Sequence, residues 1–435
     1  MVSSVEGGVV LKTLVGLGCL VQGVRCLPWM AVNFFLKDQL KLHPSTLQLL
    51  QNSSNLPMVA KPLYGLLSDA VYISGQHRIP YIAIGVFLQA VSWIAIALLP
   101  PSIISIFSVT ILLLLSNLGA SIVEVVNDAL VAEAGKEPGS SSRNPTKSPS
   151  GELQSFVWMC GSIGGVLGNL IGGVAIDRFS SQTIFLVFGL LLVIQLLTTI
   201  TVRENSLSLP VTSSSNGIRK QLSELVVVLR KPDIAYSIAW LAASYAVIPI
   251  LTGTMFFYQT EHLNLDSSVV GISKVFGQVA LLTWSVIYNK HLKSIPQRKL
   301  ISAIQAVTAI FMVSDALFVK RIYLKFGIPD SVYVIIFSGT LEVLSLFKVL
   351  PFSVLFAQLC PQGCEGSLMA FLMSTLALAN IMSGYLGVAL ASFLGISGKN
   401  FSWLPSGIII QAVCTVLPLF WSSWIPGDIK LKKKD

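Results

Sequence analysis

Apolar residues come in runs of about twenty, separated by short polar stretches, along the whole chain. Windows long enough to cross a bilayer as helices fall at 13–36, 45–67, 80–99, 103–131, 151–174, 181–201, 233–257, 267–289, 299–319, 330–358, 366–394 and 402–425. Helices are expected because lipid leaves no partner for exposed backbone groups, and none of these runs alternates strictly as barrel strands do. Spans two, four and ten carry polar interruptions. The longest central polar segment runs over 203–232, with six spans on each side. This layout predicts an all-α membrane protein with twelve transmembrane helices in two six-helix halves, 1–202 and 233–435, joined by a linker over 203–232.

A 6+6 arrangement implies duplication, so the halves should echo each other. Tyr64-Gly65-Leu66-Leu67-Ser68-Asp69 leaves span two into a short loop ending at Arg78, and Tyr288-Asn289-Lys290 leaves span eight into a basic loop. Span five opens Gly151-Glu152-Leu153-Gln154-Ser155-Phe156, and span eleven opens Gly366-Ser367-Leu368-Met369-Ala370-Phe371.

Composition sharpens the picture. Of the 435 residues 53% are hydrophobic and only 11% charged, against about 25% charged in a soluble domain. The net charge of +9 does not point to nucleic acid, because the Lys and Arg sit mostly in loops between apolar runs. With the N-terminus cytoplasmic, eighteen basic residues fall in inner segments, among them Lys136, Arg143, Lys147, Lys293 and the tail Lys430, Lys432, Lys433 and Lys434, and seven in outer ones. Both termini are therefore expected on the cytoplasmic or equivalent organellar side. The stretch ending at Lys12 leaves no room for a transit peptide, and the first span is expected to be retained. Which membrane holds the chain (plasma membrane, plastid envelope or vacuole) stays open.

Ionisable residues at bilayer depth cost roughly 2.5–3.5 kcal/mol each on insertion scales, so they mark function. The basic ones are Arg25, Lys61, Lys274 and Lys348; the acidic ones are Glu124, Asp128 and Glu342, with Asp315 near the end of span nine and expected at the interface. Arg25 and Trp29 share one helix face, which reads either as a cation and an aromatic that clamp a flat anion or as an Arg paired with a neighbouring helix for packing. Pro28 between them should loosen that helix. Glu124 and Asp128 share another face; they are either a repelling pair that takes up a proton or the counter-charges of Arg25 and Lys61. Lys274 and Lys348 are candidates for a second cationic lining, and Lys61 alternatively snorkels to the interface.

The run Gly161 to Gly173 has overlapping small-residue spacings at 161/165, 164/168 and 168/172, which read as close helix packing, with Asn169 free to line a cavity. No P-loop, H-E-x-x-H, G-x-S-x-G or paired C-x-x-C is present, so neither an enzyme nor a cofactor is expected. Cys360 and Cys364 bracket a short loop without His nearby, which argues against a metal.

The loop after span two resembles the Gly-x-x-x-Asp…Arg signature of the major facilitator superfamily, here Gly65, Asp69 and Arg78. Further blocks resemble the folate-biopterin transporter family, and its plant-type members most. They are Pro28-Trp29; Lys37-Asp38 with Leu42, Pro44-Ser45 and Leu47-Gln48; Lys61-Pro62-Leu63-Tyr64-Gly65 with Ser68-Asp69; Arg78 with Pro80-Tyr81; Asp128-Ala129-Leu130-Val131 with Glu133; and Gly151 to Ser155 with Trp158. The family's Gly-Tyr-Arg-Arg-Arg-Pro-Tyr block reads Gly75-Gln76-His77-Arg78-Ile79-Pro80-Tyr81, with two basic residues fewer; Glu124 stands for a shorter acid, and Leu27 for an aromatic.

The resemblance implies a secondary active transporter that moves folate- or pterin-type anions by alternating access as a proton symporter. Arg25, Lys61, Lys274 and Lys348 would meet the carboxylates, Trp29 or Trp158 the ring, and Asn169 the cavity. Glu124, Asp128 and Glu342 would couple the proton, and Gly65, Asp69 and Arg78 would gate. The partners implied are the small-molecule anion and the lipid bilayer, with the protein acting as a monomer. Another organic anion as cargo, or a sensor or scaffold that kept the fold, is the alternative.

Overall fold

The computed structural model describes residues 2–100, 103–134, 149–207, 218–292, 295–359 and 365–426. The loop cations Lys136, Arg143, Lys147 and Lys293, the basic tail, and Cys360 with Cys364 lie outside the described residues.

Helix occupies each of the twelve windows. The elements are α1 Val2–Val24, α2 Cys26–Phe34, α3 Pro44–Ser54, α4 Lys61–Ala70, α5 Ile79–Leu98, α6 Ile106–Ala134, α7 Pro149–Arg178, α8 Ser181–Thr201 and α9 Ile218–Leu229. They continue with α10 Pro232–Ala246, α11 Thr252–Phe257, α12 Ser267–Ile287, α13 Gln297–Val319, α14 Asp330–Tyr333, α15 Gly339–Leu344, α16 Val349–Leu359, α17 Glu365–Phe393 and α18 Leu404–Val416. Among the described residues there is no strand, only two isolated bridges. Ten helical stretches are long and apolar enough to cross a membrane. The second and seventh windows fall short because they are broken. The second is α3, a 3-10 turn over Leu56–Ala60, and α4; the seventh is α10, an irregular stretch around Pro249, α11 and a π-helical turn over Tyr258–His262.

Proline explains the breaks, since each removes an N–H donor and crowds the carbonyl four residues back. Pro28 leaves Val24 without its helical partner, and the chain turns at Arg25 between α1 and α2. Pro57 and Pro62 flank the turn before Lys61. Pro351 frees the Phe347 carbonyl, which accepts the Trp284 indole N–H at 3.0 Å instead. The tenth span accordingly runs α14, a π-helical turn Val334–Ser338, α15, a 3-10 turn Ser345–Lys348, and α16. Three of the predicted intramembrane cations, Arg25, Lys61 and Lys348, thus lie at helix breaks. The first helices of the two halves echo each other in this respect: each is broken near a proline and ends in a π-helical turn, Phe35–Gln39 and Tyr258–His262.

The chain divides into two compact units, residues 1–41 with 53–223, and residues 42–52 with 224–435. In the first, α5 packs between α6 and α8, and α1 lies along α7. That last contact needs glycine. A Cβ on Gly23 would fall 2.8 Å from the Gly165 nitrogen and 2.9 Å from Gly164 Cα, while one on Gly168 would fall 3.0 Å from the Val24 carbonyl. The packing face is 161/164/168, since a Cβ on Gly165 would meet nothing within 4 Å. In the second unit α13 packs on α18 and α10 on α17. The start of α3 belongs here through Gln48, whose amide donates to the carbonyls of Ile250 and Gly384 at 2.7 and 2.8 Å and accepts from Gly253 N at 2.8 Å.

Candidate functional site

The break at Arg25 turns its guanidinium towards α6. Nη1 donates to Glu124 Oε1 at 3.2 Å, and Nη2 donates to Asn117 Oδ1. Lys61, at the start of α4, donates to the other oxygen, Glu124 Oε2, at 2.6 Å. Glu124 therefore bridges two cations while keeping 31% of its side chain exposed. Asn117 is oriented in turn by donating to the Ser54 carbonyl at 2.6 Å and to Asn55 Oδ1 at 3.2 Å. Asp128, one turn beyond Glu124, is exposed and lies within electrostatic range of Glu124 and Lys61. Glu124 thus pairs with both cations.

Trp29 is half-buried one turn after Arg25, with its ring 6.3 Å from Trp93 in an edge-on contact. Trp93 is fully buried against Phe185 and Phe188, and its indole nitrogen has no hydrogen-bond partner. Trp29 is therefore braced by Trp93. Trp158, on α7, is 68% exposed. Asn169 is buried on α7, donating to Gly165 O at 3.0 Å with its Oδ1 unpartnered.

The predicted cations of the second unit divide. Lys274 pairs with Glu342 at 3.2 Å. Lys348 is 2% exposed and enclosed: it donates to the Ser244 carbonyl at 3.0 Å, Ser244 Oγ at 3.1 Å and Gln305 Oε1 at 2.7 Å, and sits 3.9 Å from the centre of the Tyr245 ring. These partners are neutral acceptors and a π face, whereas the partner of Lys274 is an acid.

The loop between α4 and α5 forms a second constellation. Ser74 and Gly75 both take positive φ, 52° and 76°, in a tight hairpin closed by Ile73 and Gln76. Gly75 supplies the left-handed conformation at no steric cost. Beyond it Arg78, its side chain 5% exposed, donates to Ser68 Oγ at 2.7 Å, pairs with Asp69 at 2.5 Å and grips Glu133. His77 Nδ1 lies 2.5 Å from Glu204, and its Nε2 lies 3.7 Å from Glu133. Glu204 also accepts the backbone N–H groups of His77 and Arg78 at 3.0 and 2.9 Å, so it caps α5 from far along the chain. Hydrogen bonds to Glu133 and then Glu204 push His77 up to about 9. Burial raises the Glu204 carboxyl, but the bond from His77 and the backbone N–H groups outweigh it and hold it below the ordinary carboxylate range. Gly65, on α4, lets α6 approach: a Cβ there would meet Val125 Cγ1 at 3.2 Å.

From the sequence alone Asn117 and Glu204 go unnamed, and His77 and Glu133 are placed only within blocks of family resemblance. Asn117 had a signal, since it lies seven residues before Glu124 on one helix face. Glu204 had none, standing 126 residues from its backbone partner Arg78.

Residues 22–435 match the model of the BT1 family. The chain is 59% identical over 425 residues to "Probable folate-biopterin transporter 7" of Arabidopsis thaliana, covering 98% of this chain and 95% of that one. It is 46% identical to "Probable folate-biopterin transporter 8, chloroplastic" of the same plant, covering 99% and 78%. Among solved structures, that of a D-xylose-proton symporter superposes with a TM-score of 0.68 at 16% identity, covering 96% of this chain and 98% of that one. At that identity the likeness shows the fold, which is of the major facilitator type.

Proposed function

The chain belongs to the BT1 family and is a multi-pass membrane transporter, and we propose that its cargo is a folate- or pterin-type anion carried by proton-coupled alternating access. The observation that carries this reading is the Arg25–Glu124–Lys61 triad, with Trp29 one turn along the chain from Arg25. Two cations inside a membrane-spanning unit share one carboxylate, and Trp29 is held by Trp93. A folate offers a flat ring system and carboxylates, and Trp29 and the two cations are the complementary groups. The relatives' names supply the same cargo class.

Charge balance supplies the coupling. With Glu124 and Asp128 ionised, the wall of Arg25, Lys61, Glu124 and Asp128 is neutral. A proton on Glu124 releases both cations at once, and a cargo carboxylate takes the vacated place; Asp128, within range of Glu124, helps that proton on by like-charge repulsion. Lys274 with Glu342 repeats the cation–acid pairing in the second half. Asp69 and Arg78, joined by Glu133, His77 and Glu204, form the latch that holds the loop after α4 in one state of the cycle. Both termini face the cytoplasmic or equivalent organellar side, in the plasma membrane, plastid envelope or vacuole, and the protein acts as a monomer.

The test is uptake of labelled folate, folinate and pterin by purified protein in liposomes, with and without an inward proton gradient. The expected result is saturable folate uptake that rises with the gradient and falls by about tenfold or more in Arg25→Gln and Lys61→Gln. Undiminished uptake in both variants would overturn the site. Uptake of none of the three by folded protein would overturn the cargo class.

A further inference from the structure

Asp315 does not lie at the interface where its place near the end of α13 suggested. It is 9% exposed, and its Oδ1 is buried without a hydrogen-bond partner. The neighbours on its own helix face are apolar. Met312, one turn before it, joins Ile248 and Ala412 in one cluster, and Ala316 and Phe318 join Leu251, Tyr333, Val334 and Ile408 in another. A carboxyl wedged between two apolar clusters cannot stay ionised cheaply without a cation.

The elements packed against α13 bring none to it. Among their described residues, α18 carries Cys414 as its one titratable group, while α16 and the segments 334–338 and 417–424 carry no charge. Lys348, on the 345–348 turn, is held by Ser244 and by Gln305, the latter ten residues before Asp315 and so about 15 Å away along the helix. Glu342 of α15 is paired with Lys274. The segment 322–326 brings Tyr323, bonded to Asp330, and Lys325, which is exposed. Tyr333 stacks on Phe318 and spends its hydroxyl on the Ser314 carbonyl at 2.8 Å. On α13 itself Arg298 and Lys299 stand at the opposite end; just beyond it Lys320 is exposed and Arg321 pairs with Asp330, and Tyr258, which donates to the Val319 carbonyl at 3.1 Å, is stacked on an exposed His262.

We propose that Asp315 is a proton-binding site of the second half, loading a proton from the non-cytoplasmic side and passing through the transport cycle in both charge states. The inference rests on the proton-coupled reading above and adds a carrier of the proton separate from Glu124. On the predicted topology the C-terminal end of α13 faces away from the cytoplasm, so Asp315 is placed for a proton arriving from that side. A structural acid would have a standing partner, and a snorkelling one would be exposed.

The experiment compares wild type, Asp315→Asn and Asp315→Glu as full-length protein in liposomes. Infrared difference spectra between acidic and alkaline buffer should show a protonated-carboxyl band in wild type that is missing in Asp315→Asn and shifted in Asp315→Glu. In the same vesicles, Asp315→Asn should keep folate–folate exchange within about twofold of wild type while gradient-driven uptake falls about tenfold, and Asp315→Glu should restore part of it. A carboxyl band unchanged in Asp315→Asn would overturn the proposal, as would unchanged gradient-driven uptake. If wild type exchanges no folate at all, the cargo reading fails, while the infrared comparison still decides whether Asp315 binds the proton. Should Asp315→Asn not fold, the band position in Asp315→Glu decides: an unshifted band overturns the assignment.

Discussion

Replacing Glu124 with Gln removes the shared counter-charge of Arg25 and Lys61 and leaves the volume almost unchanged. At separations of 3.2 and 2.6 Å the two attractions are about 5 and about 6 kcal/mol at an effective dielectric of about 20. Desolvation of three ions offsets most of that gain, so the pairs add little net stability. Breaking them is another matter, because both cations then lose their bonded carboxylate at membrane depth, with Asp128 left only in electrostatic range of Lys61. The expected cost is about 2–4 kcal/mol, at the lower side for a buried pair because Glu124 keeps 31% exposure. Arg25 retains Asn117 as a partner, whereas Glu124 is the hydrogen-bond acceptor of Lys61. Removing the Lys61 charge as well should therefore recover more than removing Arg25. The assay is equilibrium unfolding in mixed micelles titrated with a denaturing detergent, run on Glu124→Gln, Lys61→Met, Arg25→Met and the two doubles. A coupling of about 1–2 kcal/mol is expected for Lys61 with Glu124, larger than that for Arg25 with Glu124. Equal stability of Glu124→Gln and wild type, or additive single costs in the Lys61 double, would refute the shared-carboxylate reasoning.

Two further outcomes follow from buried charges. Folding raises His77 from its ordinary 6.5 to about 9, so its contribution, at most about 3 kcal/mol, is complete below about pH 6.5 and lost as pH rises through about 9. Thermal unfolding of detergent-purified wild type should weaken across that window while His77→Gln stays flat; parallel profiles would rule out the His77–Glu133–Glu204 cluster as the cause. For Lys348, whose partners are neutral, Lys348→Met should stay within about 1 kcal/mol of wild type. Gln305→Leu, which takes the shortest of the three acceptors from the cation and leaves it Ser244 and the Tyr245 ring, should cost about 2–3 kcal/mol in the same unfolding assay, and the reverse order would refute the assignment.

The twelve helical windows and the class of protein were legible in the chain, because lipid admits no unpaired backbone and a span must be apolar for about twenty residues. The break at Pro28 was legible for a local reason too, a missing N–H, while those at Pro57 to Pro62 and at Pro249 emerged only with the structure. So were Arg25, Lys61, Glu124 and Asp128 as residues of interest, since a charge at bilayer depth is costly wherever it points. What such a charge meets is a different matter. Glu124 serves Arg25 from 99 positions away and Lys61 from 63, and Glu204 caps α5 across 126. Lys348 and Lys274 read alike along the chain, yet one is enclosed by Ser244, Gln305 and Tyr245 and the other forms a half-exposed ion pair. Asp315 reads as interfacial from its distance to the helix end and is buried because α13 is turned towards its apolar neighbours. Helix rotation and neighbour identity are set by packing between segments far apart in sequence, and that long-range information fixes which charges are paired, which are enclosed and which, like Asp315, are buried with an oxygen unpartnered.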